Sequence, residues 1–100
     1  MTKQPEKDEW VYVAVQNPGG DENFVGYMEE ASQIAYIPAF LTKEDAQTCF
    51  INMPRDPGKK YEIQAVIMED LANDAAANGF LIFLLDAEGK ITNKINPAAV

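Results

Sequence analysis

Residues 61–85 read YEIQAVIMEDLANDAAANGFLIFLL, and this stretch decides the fold. Its first seven residues alternate. Tyr61, Ile63, Ala65 and Ile67 fall on one side, with Glu62 and Gln64 on the other, which predicts a strand with one face toward water. Glu69 to Asn78 then changes period to that of a helix, acidic at its start, where the macrodipole favours carboxylates. Its small side chains, Ala72, Ala75 and Ala76, let it lie close against a sheet. Gly79 suits the left-handed position that closes a helix. Phe80 to Leu85 is apolar on both sides, the pattern of a central strand. Strand, helix and strand in direct succession place the chain among mixed α and β domains.

Upstream, Thr42 followed by Lys43, Glu44 and Asp45 predicts a helix start, a capping hydroxyl with acids in the first turn. Ala46, Cys49, Phe50 and Met53 then recur at helical spacing, and Pro54 stops the run. Before it, Ile34 to Ile37 reads as a strand that Pro38 confines to an edge or ends. Trp10 to Gln16 alternates as a first strand, with Val11, Val13 and Val15 opposite Trp10, Tyr12 and Ala14. The turn-rich segment 17–23 separates it from a second strand, Phe24 to Met28. Downstream, Asp86 to Lys90 turns the chain into a last strand, Ile91–Ile95, with Gly89 free to take positive φ.

The expected fold is therefore an α+β domain, a single mixed β-sheet of about six strands with two helices in the order βββαβαββ. Residues 1–9 read as a flexible tail, 10–96 as one domain and 97–100 as a C-terminal tail. Two right-handed crossovers running the same way put both helices on one sheet face and leave the other uncovered. A different strand order places one helix on each side.

The residue inventory narrows the chemistry. The 100 residues include no histidine, one cysteine (Cys49), one serine (Ser32), one arginine (Arg55) and four threonines. Most enzymes draw bases, nucleophiles and oxyanion donors from the first four of these types, so carboxylates, lysines, tyrosines and the four threonines are left to carry any catalysis. Cys49 sits on the apolar stripe of its helix and reads as a buried structural thiol. The acidic pairs Glu44-Asp45 and Glu69-Asp70 fall at helix starts, where they serve the helix. Glu29-Glu30 lies in a connection. The acidic loops, Asp21-Glu22-Asn23 and Asp86, Glu88 with Asn93, lack calcium-loop spacing, and no glycine loop leads a lysine into a helix. No catalytic residue, cofactor or metal is assigned.

A net charge of −8, from sixteen acidic and eight dispersed basic residues, argues against nucleic acid as a partner. The longest apolar run, Phe80 to Leu85, falls far short of the roughly 20 residues a membrane helix needs. With no apolar run at the N-terminus either, the expected setting is the cytoplasm, without membrane association. Trp10, Tyr12, Tyr27 and Tyr36 fall on the first three strands. Two readings stand for them: ordinary core packing, or an aromatic face used for association with a second copy or a protein partner.

From Ile34 to Lys90 the order is a strand, Pro-Ala-Phe and Thr-Lys-Glu-Asp-Ala opening a helix, then a Tyr-Glu-Ile-Gln-Ala strand. A short helix and an apolar strand closing in Asp-Ala-Glu-Gly-Lys complete it. This resembles the N-terminal domain of the SseB family of bacterial proteins (enhanced serine sensitivity), with Thr42, Glu44, Asp45 and Ala46 matching. To a lesser degree it resembles the chloroplast-import intermembrane-space chaperones and their cyanobacterial relatives. The resemblance implies a non-enzymatic α/β module for protein interaction and transfers no catalytic residue. The alternative is an enzyme using carboxylate, lysine or tyrosine chemistry, with a weakly bound metal at the acidic loops.

Overall fold

The computed structural model describes residues 5–20, 22–51 and 58–99. Among them the chain forms β1 (Trp10–Gln16), β2 (Asn23–Phe24), β3 (Tyr27–Glu29), β4 (Ile34–Ala39) and α1 (Lys43–Ile51). There follow β5 (Tyr61–Ile67), α2 (Met68–Asn78), β6 (Leu81–Leu85), β7 (Ile91–Ile95) and a 3-10 turn over Pro97–Ala99. The class is α+β, as the sequence predicts. The sheet differs. Instead of one sheet there are two, ordered β2-β1-β5 and β3-β4-β6-β7. Among the described residues an isolated antiparallel bridge joins them, Tyr12 and Phe40 each donating a backbone N–H to the other's carbonyl at 2.9 Å.

The division arises in the second predicted strand. Phe24 to Met28 does not run straight: β2 pairs with β1, the chain bends at Val25-Gly26, and β3 pairs with β4. Glycine is needed at the bend, because a Cβ on Gly26 would lie 2.8 Å from Phe80 Cε1. The Phe80 ring thus fills the space that a side chain there would occupy.

Pro38 neither ends its strand nor sits on an edge. β4 runs on to Ala39 between β3 and β6, in parallel register with β6. The physical reason is the direction of the missing N–H. The Phe40 N–H and C=O point to β1, and by alternation so does the Pro38 nitrogen. β3 reaches only as far as Tyr27 opposite Tyr36, so Pro38 faces a gap and costs no ladder bond.

The two helices lie on opposite faces, one of the two arrangements that the sequence leaves open. On α2, Met68, Leu71, Ala72 and Ala75 pack with Val11, Val13, Val15, Ile37, Ala39, Ile82 and Leu84. On α1, Ala46 and Cys49 pack with Phe40, Phe83 and Leu85, and Phe50 packs with Ala14 and Val25. Neither helix joins two neighbouring parallel strands: each carries the chain from one sheet to the other, so the crossover rule that would co-locate them does not apply. The alternation of β4 and β6 feeds both cores. Ile82 and Leu84 turn one way and Phe83 and Leu85 the other, which accounts for the two-faced apolarity of Phe80–Leu85.

Local signals are realised closely. Thr42 Oγ1 accepts the Asp45 N–H at 3.1 Å. Met53 and Pro54 lie outside the described residues, as does Asp21. Gly79 adopts φ 76°, and the Phe80 N–H returns to the Ala75 carbonyl at 2.9 Å. On β5, Glu62 is exposed but Gln64 and Val66 are half-buried, because α2 covers part of the side expected to meet water.

Both termini depart from the expected tails. Pro5 is buried, and the Lys7 and Glu9 carbonyls accept the Glu69 and Met68 N–H groups at 2.9 and 2.8 Å. Residues 7 and 9 thus satisfy the first donors of α2, whose N-cap Ile67 has no side chain able to do so. At the other end Pro97 is buried, and its 3-10 turn packs against α2.

Candidate interaction surface

All four aromatics singled out from the sequence belong to the α1 side of the sheets, yet they do not form one patch. Tyr12 is half-buried in the α1-side core beside Phe40 and Ile63. Tyr27 and Tyr36 are cross-strand partners, their rings tilted with centroids 6.2 Å apart. Tyr36 stacks on the fully buried Phe83 at 4.4 Å, and Lys94 Nζ stands 5.1 Å from the Phe83 centroid. Three of the four therefore build the core's margin. Trp10 alone remains open, 59% exposed at the start of β1. Exposure falls along that face of β1 from Trp10 through Tyr12 to Ala14 as α1 takes over the covering.

The Tyr27–Tyr36 margin carries a small charged cluster. Glu29 Oε1 accepts the Ser32 hydroxyl at 2.6 Å and pairs with Lys94 Nζ at 3.5 Å. The Ser32 hydrogen bond, opposed by some desolvation and helped by Lys94, holds the Glu29 carboxyl below its ordinary 4.5. Burial, and then the Glu29 charge, push the Tyr36 phenol up. A lowered folded-state pKa contributes stability above the unfolded value and loses it as pH falls through the folded one. Replacing Ser32 by alanine is accordingly expected to move the Glu29 midpoint upward, read from its side-chain carboxyl resonance. An unchanged midpoint would show that Lys94 alone sets it.

Cys49 is 4% exposed on α1. The 86–90 turn closes over it: a Cβ on Gly89, at φ 84°, would lie 3.4 Å from Sγ. Burial, and then the nearby Asp86, push the thiol pKa up, the opposite of what a reactive cysteine requires. Native protein is expected to react with a thiol reagent far more slowly than unfolded chain. Cys49→Ser is expected to cost about 1–3 kcal/mol by denaturant titration, since its hydroxyl would be buried without a partner.

Asp86 Oδ1 accepts the Glu88 and Lys90 N–H groups at 3.0 and 2.9 Å, so its carboxylate serves the turn. Among the described residues no group of three or more His, Cys, Asp or Glu is placed to hold a metal ion, and no helix is long and apolar enough to cross a membrane.

One feature escapes sequence reading. A cleft of about 470 Å³ opens on the α2 side, floored by Val15, Ile37 and Phe80 and edged by Glu22, Gln64 and Asp74. Glu22 is held there, its Oε2 accepting the Gly19 N–H at 3.1 Å and the Gln64 amide at 3.4 Å. Its walls come from both sheets and from α2, so no local motif could announce it.

No protein-family model matches the chain, and no curated protein or solved structure is significantly similar to it.

Proposed function

We propose that this chain is a small non-enzymatic interaction or assembly module of the cytoplasm, acting as a homodimer or with a protein partner. The observation that carries the reading is Trp10. A tryptophan 59% exposed, beside its half-buried cross-strand neighbour Ile67, is the kind of aromatic anchor that interfaces use. The SseB-like order of elements supports the same reading, and the acidity fits a partner with basic groups around an apolar centre. Affinity capture from the native lysate, with wild-type and Trp10→Ser baits in parallel, tests it. The expected result is a stoichiometric protein held by wild type and lost by the variant. A chain that is monomeric and captures nothing sinks the proposal.

A second reading, an enzyme or ligand binder using carboxylates, has the cleft in its favour, where Glu22 and Asp74 edge an apolar floor. Thermal melts with calcium, magnesium or ATP separate the two. A true ligand at a hundredfold excess over its dissociation constant adds about 2.7 kcal/mol. The interaction reading expects no saturable rise with any of them.

A further inference from the structure

We infer that the free edge of β5 is a self-pairing surface, and that the partner it fits is β5 of a second copy of this chain. The inference rests on the interaction-module reading and names its partner.

Backbone geometry supplies the starting point. The Asn17 N–H bonds to the Lys60 carbonyl and the Met68 N–H to the Glu9 carbonyl. In an antiparallel ladder these alternate, so Glu62, Gln64 and Val66 direct their backbone groups to β1. Ile63, Ala65 and Ile67 direct theirs outward. β5 ends its sheet, and no backbone hydrogen bond among the described residues meets these three on that side. Proteins normally guard such edges with lysine, proline, bulges or shortness. The other edges of this fold are guarded. β7 carries Lys94 and pairs through a bulge at Leu84/Leu85, and β2 and β3 are two and three residues long. β5 runs for seven residues without proline, lysine or bulge.

Its sequence is complementary to itself in one antiparallel register, centred on Gln64. There Ile63 and Ala65 exchange N–H···O=C bonds with Ala65 and Ile63 of the second copy, and Tyr61 lies opposite Ile67. Every pair on the α1 side is then apolar. On the other side Glu62 lies opposite Val66, so no two like charges meet. Charge supports the same register beyond the strand. Lys59 and Lys60 precede β5, and Glu69 and Asp70 open α2 at its far end. Antiparallel pairing sets each copy's lysines beside the other's acids, twice over. The exposed Trp10 neighbours Ile67 at the same margin, on the apolar side of the joined sheet.

Sedimentation of the full chain from about 1 µM to 1 mM, a range spanning weak to moderate affinity, tests this. Wild type is expected to convert to dimer, with Trp10 emission shifting to the blue. Ala65→Pro removes an outward N–H and leaves the β1 ladder intact, so it is expected to be folded and monomeric. Lys59→Glu with Lys60→Glu is expected to weaken association at least about tenfold. Should the proline variant fail to fold, Gln64→Cys decides. Paired across the two-fold, its thiols would be within disulfide reach and oxidise to a covalent dimer, whereas Glu62→Cys would not. Monomeric wild type throughout, a folded and dimeric Ala65→Pro, or no cross-link at position 64 would overturn the inference. If wild type is monomeric yet Trp10-dependent capture of another protein holds, only this inference falls. If both fail, the module reading falls with it.

Discussion

Phe83→Ala is expected to cost about 3–5 kcal/mol, the range for emptying an aromatic core site. Phe83 is fully buried at the middle of β6. Tyr36 stacks on its ring at 4.4 Å, Phe40 and Leu85 share its core, and the Lys94 ammonium stands over it. The surroundings are poorly able to collapse into the gap, because Phe83 is paired on both sides, with Pro38 of β4 and Lys94 of β7. Domains of this size are stable by about 5–15 kcal/mol, so the loss removes a large share. Urea denaturation monitored by circular dichroism reads it as a lowered midpoint with little change in slope. A cost under about 1 kcal/mol would mean that Tyr36 swings in to fill the space.

Leu71→Ala is expected to cost about 2–5 kcal/mol on the other face. Leu71 is fully buried on α2 and packs into the core that holds Val11, Val13, Ile37 and Ile82. Alanines at 72 and 75 bring α2 close to the sheet and are too short to refill the site, which leaves Met68 as the one longer side chain on the buried face of the helix. The two substitutions belong to different cores on opposite sides of the sheets. Their costs are therefore expected to add within about 0.5 kcal/mol. A marked shortfall from additivity would show the sheets deforming as a unit between the helices. Together the changes are expected to leave the chain largely unfolded at 37 °C.

What the sequence made legible was local. The Thr42 cap, the Gly79 closure, the Gly89 turn and the limits of β1 and β5 each follow from a few neighbouring residues. What escaped it depends on pairing between distant ones. The bend takes a glycine at position 26 because Phe80 occupies the space beside it, and Pro38 is tolerated inside a sheet because β3 stops short of it. The placement of the helices followed from each one linking two sheets, which no single segment reveals. Of the four aromatics, Trp10 stands open, while Tyr12, Tyr27 and Tyr36 are spent largely on packing. The cleft and the bare edge of β5 are products of assembly, so they became visible only once the strand order was known.

The parallel ladder between β4 and β6 also sets the order in which the molecule can form. Its two strands are consecutive in space, yet α1, β5 and α2 all lie between Ala39 and Leu81 in the chain. Closing that long loop is entropically costly until the intervening segment has docked on β1. The sheet of β3, β4, β6 and β7 is thus expected to complete after the sheet of β2, β1 and β5. During synthesis, β4 must wait for β6 to emerge before its inner edge is covered. A chain cut between Ala39 and Tyr61 leaves neither half with a complete sheet, and one cut between Ile67 and Leu81 leaves whole only the sheet of β2, β1 and β5.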